Sequence, residues 1–126
     1  MGVDAGWRDY EAEEFYSALS YHRNTAEKFE FDKRPDLVVI HLGANDYALD
    51  APKSSFIASC KSLIKCVRDG YESDVPIIWA YNFGGYGCDS WAFDVIEQLG
   101  GEENEIYTFK MTYNNEGANG HPNLEA

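Results

Sequence analysis

Residues 36–46 read Asp-Leu-Val-Val-Ile-His-Leu-Gly-Ala-Asn-Asp, an aliphatic run that ends abruptly in glycine and polar residues. A nearly continuous run of β-branched and aliphatic residues is typical of a strand buried on both faces of a parallel sheet. We therefore predict a strand over residues 37–42, with Gly43 permitting a sharp exit. His41 lies inside this predicted strand, which favours a histidine packed in the core.

Two more apolar runs downstream predict two more strands. Residues 75–81 form a second buried run, with Pro76 near its start, where a missing backbone N–H costs least. Residues 106–111 alternate in the manner of a third strand, and residues 112–126 form a polar loop.

The segments between these strands carry helical periodicity. Asp50 or Ala51 can cap a first helix, and Gly70 ends it. Asp89 or Ser90 can cap a second helix, which ends at residues 100–101, Gly-Gly. The apolar residues that share a face are Phe56, Ile57, Cys60, Leu63, Ile64 and Val67 in the first helix, and Trp91, Val95, Ile96 and Leu99 in the second.

Strand, helix, strand, helix, strand implies two right-handed crossovers, so the predicted fold is α/β, a three-layer α/β/α arrangement around a small parallel sheet. The chain of 126 residues has room for one domain, 1–126. A three-stranded parallel sheet leaves its edges unpaired, which natural proteins avoid. We therefore expect additional polypeptide to complete the sheet. Residues 7–31 are rich in aromatic side chains, and we expect an irregular segment that wraps the core.

Composition narrows the classes of partner. Lys and Arg number 10 against 22 Asp and Glu, a net charge of −12 that repels polyanions and predicts no nucleic-acid or membrane partner. No Cys-x-x-Cys pair or His-containing acidic cluster indicates a metal site. The glycines at 84–87 lack the spacing of a phosphate-binding loop, so we expect no cofactor. The absence of a signal-peptide run predicts a cytoplasmic chain if Met1 is its true start, but leaves open export of a longer parent protein. The oligomeric state stays open.

Ligand sites of open α/β sheets gather beyond the carboxyl ends of the strands. After the first strand, Gly43 allows close backbone approach, and Asn45 offers an amide donor to an oxygen that gains charge. His121, in the loop after the third strand, is the best general-base candidate. The neighbouring residues that we predict to bind substrate are Asp46, Tyr47, Tyr86 and Trp91, the aromatic ones as a stacking floor for a sugar.

Each of these candidates has a structural alternative. Asn45 could bond its own backbone in a strand-ending turn, and Asp46 more often bonds within its own loop than touches substrate. Aromatic side chains near a strand end more often serve packing than binding.

Two blocks of sequence resemble those of a known family. Residues 35–46, Pro-Asp-Leu-Val-Val-Ile-His-Leu-Gly-Ala-Asn-Asp, resemble the strand and Gly-x-Asn-Asp block of the SGNH (GDSL-type) hydrolases. Residues 120–123, Gly-His-Pro-Asn, resemble the His-Pro end of that family's last block. The phrase from Trp7 to Asn24 and the lone His-Pro are similar to the carbohydrate esterase family 2 branch, acetyl esterases that act on sugars. The resemblance covers about residues 30–124.

The resemblance implies a flavodoxin-like fold and hydrolysis of a small ester or acetylated carbohydrate. In such enzymes a serine attacks the ester carbonyl, a histidine takes the proton, and an asparagine with a glycine N–H stabilises the oxyanion. By position, Asn45 would be the oxyanion donor, in the Gly43 turn, and His121 the base.

Two departures from the family pattern affect this expectation. The family's serine lies in a Gly-Asp-Ser block before the Gly-x-Asn-Asp block, and Ser17 and Ser20 lack that context. Asp89-Ser90 follows the asparagine block and is better explained as a helix cap. The acid that orients the histidine is replaced by Ala118, with Glu116 at the wrong spacing, although a backbone carbonyl holds the imidazole in the family 2 branch.

We therefore expect the carboxyl-proximal part of an SGNH-type esterase, incomplete on its amino-terminal side and at its carboxyl end, and inactive alone. Two other functions remain open. One is a non-catalytic carbohydrate-binding α/β module, and the other is a flavodoxin-like domain that holds a ligand over its strand ends.

Overall fold

Three parallel strands in chain order form the sheet. The computed structural model describes residues 30–71, 74–82 and 89–125. Strand β1 spans Val38–Ile40, β2 spans Ile77–Tyr81 and β3 spans Ile106–Lys110, in the order β1-β2-β3. Both neighbouring pairs are parallel. The α/β class and the small parallel sheet predicted from the sequence are therefore confirmed.

The helices agree with the sequence pattern except where the backbone turns after β1. Helix α1 spans Ala44–Ala48, a segment in which no helix was predicted; α2 spans Lys53–Gly70 and α3 spans Asp89–Gln98. The cap of α2 is Pro52, not Asp50 or Ala51. Proline is suited to this position because its φ of −60° is already fixed and it has no N–H to leave unpaired. Short 3₁₀ helices at Gly101–Asn104 and Ala118–Gly120 complete the described elements.

One face of the sheet carries the core. Val38 lies opposite Ile77, and Ile77 opposite Ile106, so these side chains point to the same face, beneath α2 and α3. The two long helices also pack against each other. Two right-handed crossovers that step in the same direction place both helices on the same face. Within residues 30–71, 74–82 and 89–125 the two long helices thus form one layer.

The opposite face of the sheet is exposed at its two edge strands, whereas Ala80 of the central strand is buried on that face. Val39 and Phe109 are each 59% exposed. The expectation that residues 37–42 are buried on both faces is therefore wrong, since only Val38 and Ile40 of β1 enter the core. The prediction that His41 packs in the core is also wrong. His41 lies just past the end of β1 and is exposed, although partial desolvation lowers its pKa.

The described part of the chain contains neither a membrane-spanning helix nor a cluster of metal ligands. No helix there is long and apolar enough to cross a membrane. Nor do its His, Cys, Asp and Glu side chains gather in a group that could hold a metal ion.

Because the core lies on one face of the sheet, we expect the same substitution at two adjacent positions to change the free energy of unfolding by different amounts. Val38→Thr places a hydroxyl in the core and should lower the free energy of unfolding by about 1–3 kcal/mol. Val39→Thr keeps the β-branched shape on the exposed face and should change it by less than about 0.5 kcal/mol. Urea unfolding of the two variants checks this, and equal losses would contradict a core on one face only.

Candidate active site

The loops after β1 and β3 leave the sheet at the same rim because the strands are parallel. One strand separates β1 from β3, so the two loops begin about 10 Å apart, which is two strand spacings. The predicted site residues Gly43, Asn45 and His121 all follow the carboxyl ends of these two strands.

A sharp backbone turn places Asn45 at the start of α1. Gly43 has a φ of 121°, a conformation that residues with a side chain rarely adopt, and its carbonyl accepts the Tyr47 N–H at 3.1 Å. Asn45 is half-buried. Its side-chain amide has no hydrogen-bond partner in the part of the chain that the structure describes, so the alternative in which it bonds its own backbone does not hold here. An Nδ2 group in this state can donate to a ligand oxygen.

Asp46 is fully buried, unlike its neighbour Asn45. Its backbone carbonyl accepts the Ala51 N–H at 2.9 Å, which closes the turn after α1. Burial favours the alternative given above for this residue, a role inside its own loop. Contact with substrate, the other expectation for Asp46, finds no support in this geometry.

Two of the predicted aromatic residues lie together beside this turn. The ring of Tyr47, 42% exposed, lies 6.2 Å from that of half-buried Trp91 at an angle of 59°. Trp91 in turn leans on the core ring of Phe56, with centroids 5.4 Å apart. We call Tyr47 and Trp91 the aromatic ledge. Tyr86, the third aromatic candidate, lies outside the described residues.

A backbone carbonyl orients the imidazole of His121. Its Nδ1 lies 3.1 Å from the carbonyl oxygen of Ala118, which also accepts the His121 N–H at 3.1 Å. If Nδ1 carries the proton, Nε2 is left as an acceptor, which is the form that a general base requires. Glu116 does not take the place of an orienting acid, because its carboxylate accepts the Asn123 amide instead, at 3.2 Å.

The loop that carries His121 depends on unusual backbone geometry. Asn119 and Gly120 both have positive φ, 57° and 74°. The Gly117 N–H donates to the His121 carbonyl at 2.8 Å. A Cβ on Gly117 would lie 2.6 Å from the carbonyl oxygens of His121 and Pro122, so only glycine fits there without movement of the loop.

Side-chain amides hold this loop to the sheet and to itself. Asn82, after β2, donates to the Met111 carbonyl at 3.1 Å, just past the end of β3. Asn114 and Asn123 bond each other through their side chains at 2.8 Å. The sequence placed these three residues in loops at the ligand-binding end of the sheet but assigned their side chains no role. Their signal was weak, since asparagines in a polar loop ordinarily indicate turns.

A cavity of about 420 Å³ lies at the opposite rim, near the start of β3. Its one guanidinium within the described lining, Arg68, is occupied by the backbone carbonyls of Val75 and Asn104. The described lining of this cavity contains none of the predicted site residues, and its guanidinium holds the backbone of the fold together.

Comparison with known proteins gives a structural relative. The fold is similar to that of an active-site mutant of a family 2 carbohydrate esterase from Clostridium thermocellum, solved in complex with cellohexaose, with a TM-score of 0.69 and 25% identity. The match covers 80% of this chain and 34% of the esterase, so the chain spans about a third of that protein's length. A scan against protein-family models finds no match, and neither does a search of curated proteins. The comparison thus supports an esterase-like α/β fold.

Proposed function

We propose that this chain supplies the oxyanion donor and the general base of a carboxyl-ester hydrolase of SGNH type that deacetylates a carbohydrate or a similar small ester. The nucleophilic serine comes from polypeptide outside this sequence and packs at the rim where β1 and β3 end. The proposal rests chiefly on one observation: an imidazole held by the Ala118 carbonyl follows β3, and an Asn45 amide without a hydrogen-bond partner among the described residues follows β1, whose end lies at the same rim.

The proposed reaction divides between this chain and the serine. The serine Oγ attacks the ester carbonyl carbon while Nε2 of His121 takes its proton. The Ala118 carbonyl accepts the Nδ1–H and stabilises the imidazolium that forms. Asn45 Nδ2 donates to the carbonyl oxygen as it becomes an oxyanion. His121 then returns the proton to the leaving alcohol, and water hydrolyses the acyl-serine by the same steps.

The surroundings of the site favour a neutral substrate. The net charge of −12 disfavours an anionic ligand, and the aromatic ledge offers an apolar surface on which the face of a sugar ring can lie. The structural relative was solved in complex with cellohexaose, a carbohydrate, which fits the same substrate class.

Acetyl-ester hydrolysis tests this proposal in a longer form of the protein that includes the polypeptide encoded in frame upstream. The 126-residue chain alone should show no turnover. In the longer form, Asn45→Ala should lower kcat about 10²- to 10³-fold, the usual loss on removing one oxyanion donor. His121→Ala should lower kcat on the order of 10⁶-fold, as loss of the base does in a serine protease.

His41→Gln is the control, since His41 is an exposed histidine with no role in the proposed reaction. Its kcat should equal that of the unaltered protein. Robust turnover by the 126-residue chain, or a His121→Ala variant as active as His41→Gln, would rule out the proposed division of roles.

A non-catalytic carbohydrate-binding module is the second candidate, favoured by the exposed half of the aromatic ledge. This function is favoured over the esterase if the chain and its longer form are both retained on a polysaccharide column. Neither form should then show turnover or be labelled by a serine-directed fluorophosphonate.

Both functions predict that the aromatic ledge binds the sugar. Tyr47→Ala should weaken binding by about two- to tenfold, as expected for loss of one aromatic contact, and in the enzyme it should raise KM with little change in kcat. Phe93→Ala is the matched control, because Phe93 is 48% exposed on α3 but packs on Tyr81, outside the ledge. Isothermal titration with a cello-oligosaccharide compares them, and equal affinities of the two variants would exclude the ledge from binding.

A further inference from the structure

The loop that carries His121 is closed by a pair of asparagine side chains. Asn114 Oδ1 accepts the Asn123 N–H at 3.0 Å, and Asn114 Nδ2 donates to Asn123 Oδ1 at 2.8 Å. These two hydrogen bonds join residues nine positions apart. Ala118 and His121 both lie between them, so the pair fixes the two ends of the segment that contains the imidazole and its carbonyl partner.

Further bonds brace the same pair from both sides. Asn114 Oδ1 also accepts the Glu116 N–H at 3.3 Å, and Asn123 Nδ2 donates to the Glu116 carboxylate at 3.2 Å. On the other side, the Glu125 N–H donates to Asn123 Oδ1 at 2.8 Å. Asn114 and Asn123 are half-buried, whereas Glu116 and His121 are exposed. We call the hydrogen-bonded group of Asn114, Glu116 and Asn123 the ring. Its two amides are sheltered, and the exposed His121 lies within the loop that the ring closes.

The ring closes a loop in which two consecutive residues occupy the left-handed region. These residues are Asn119 and Gly120, and asparagine and glycine are the residue types that reach this region most readily. The contact between Nδ1 and the Ala118 carbonyl requires that turn, because the same carbonyl also accepts the His121 N–H. Release of the ends at 114 and 123 would let the turn relax and the carbonyl move away from Nδ1.

We propose that Asn114 is a positioning residue for His121: by tying its loop ends together, it keeps the Ala118 carbonyl against Nδ1 and so selects the tautomer with an unprotonated Nε2. This role rests on the proposed function, in which Nε2 takes the serine proton. Asn114 itself touches neither the imidazole nor the reacting atoms, and it acts only through the loop.

The tautomer of His121 can be measured in the 126-residue chain itself, by long-range ¹H–¹⁵N NMR correlation at a pH where the imidazole is neutral. The Nδ1–H form should predominate in the unaltered chain. Asn114→Ala should make the Nε2–H form predominate, since that is the form an unconstrained histidine favours. Asn114→Asp keeps both acceptor bonds and loses the donation to Asn123, so it should retain more of the Nδ1–H form than Asn114→Ala.

Asn115→Ala is the matched control, because Asn115 is an exposed asparagine next to Asn114 and outside the ring. It should leave the tautomer unchanged. An Asn114→Ala variant that keeps the Nδ1–H form would overturn the inference. The dispersion of the amide spectrum shows whether Asn114→Ala is folded. If it is not, Asn114→Asp decides. An Nδ1–H fraction in Asn114→Asp equal to that of the unaltered chain would also overturn the inference.

Kinetics of the longer form separate this inference from the proposed function. Asn114→Ala should lower kcat about 10- to 100-fold, the usual cost of a small displacement of a catalytic group, with KM within about twofold and partial rescue by Asn114→Asp. A tautomer shift in a longer form that never hydrolyses esters would uphold the positioning role and refute the esterase. A normal kcat for Asn114→Ala would refute the positioning role and leave the esterase standing.

Discussion

The parallel pairing of β1, β2 and β3 is the constraint on which the rest of the structure depends. Parallel strands end at the same rim, so the turn after β1 and the loop after β3 begin at that rim, one strand apart, although 76 positions separate residues 45 and 121 in sequence. The core enforces this pairing: Ile77 lies between Val38 and Ile106 in register and is fully buried. A slip of one residue in any strand would turn its core side chains to the exposed face.

The turns at this rim use backbone conformations with positive φ, which most residue types avoid. Gly43 turns the chain at a φ of 121°, and Asn82, Asn119 and Gly120 all have positive φ. These residues follow the ends of the three strands, where hydrogen bonds from Asn82 and within residues 114–123 hold the loops in place. Strained turns supported by side-chain hydrogen bonds are a common feature of functional sites, because they hold groups in fixed directions that a relaxed loop would not keep.

The sequence predicted the strands and the two long helices because each has a periodic apolar pattern long enough to identify it. It predicted burial wrongly for residues that lie in an apolar run but are exposed. Val39 and His41 belong to an aliphatic run but are exposed, since a sequence does not state which sheet face receives a helical layer. Helix α1 was missed because five residues carry no helical period. In the candidate site, the position of His121 after the third strand was predictable, whereas the bonds of Asn114 and Asn123 depend on loop geometry that no periodicity encodes.

The central claim is that Asn45 and His121 face one pocket, and a crystal structure of the longer form after reaction with a phosphonate inhibitor tests it most directly. The account predicts a phosphonylated serine whose phosphoryl oxygen lies within hydrogen-bond distance of Asn45 Nδ2, with His121 Nε2 in reach of the serine Oγ. An adduct that contacts neither side chain, or coordinates in which those two groups face away from each other, would contradict it.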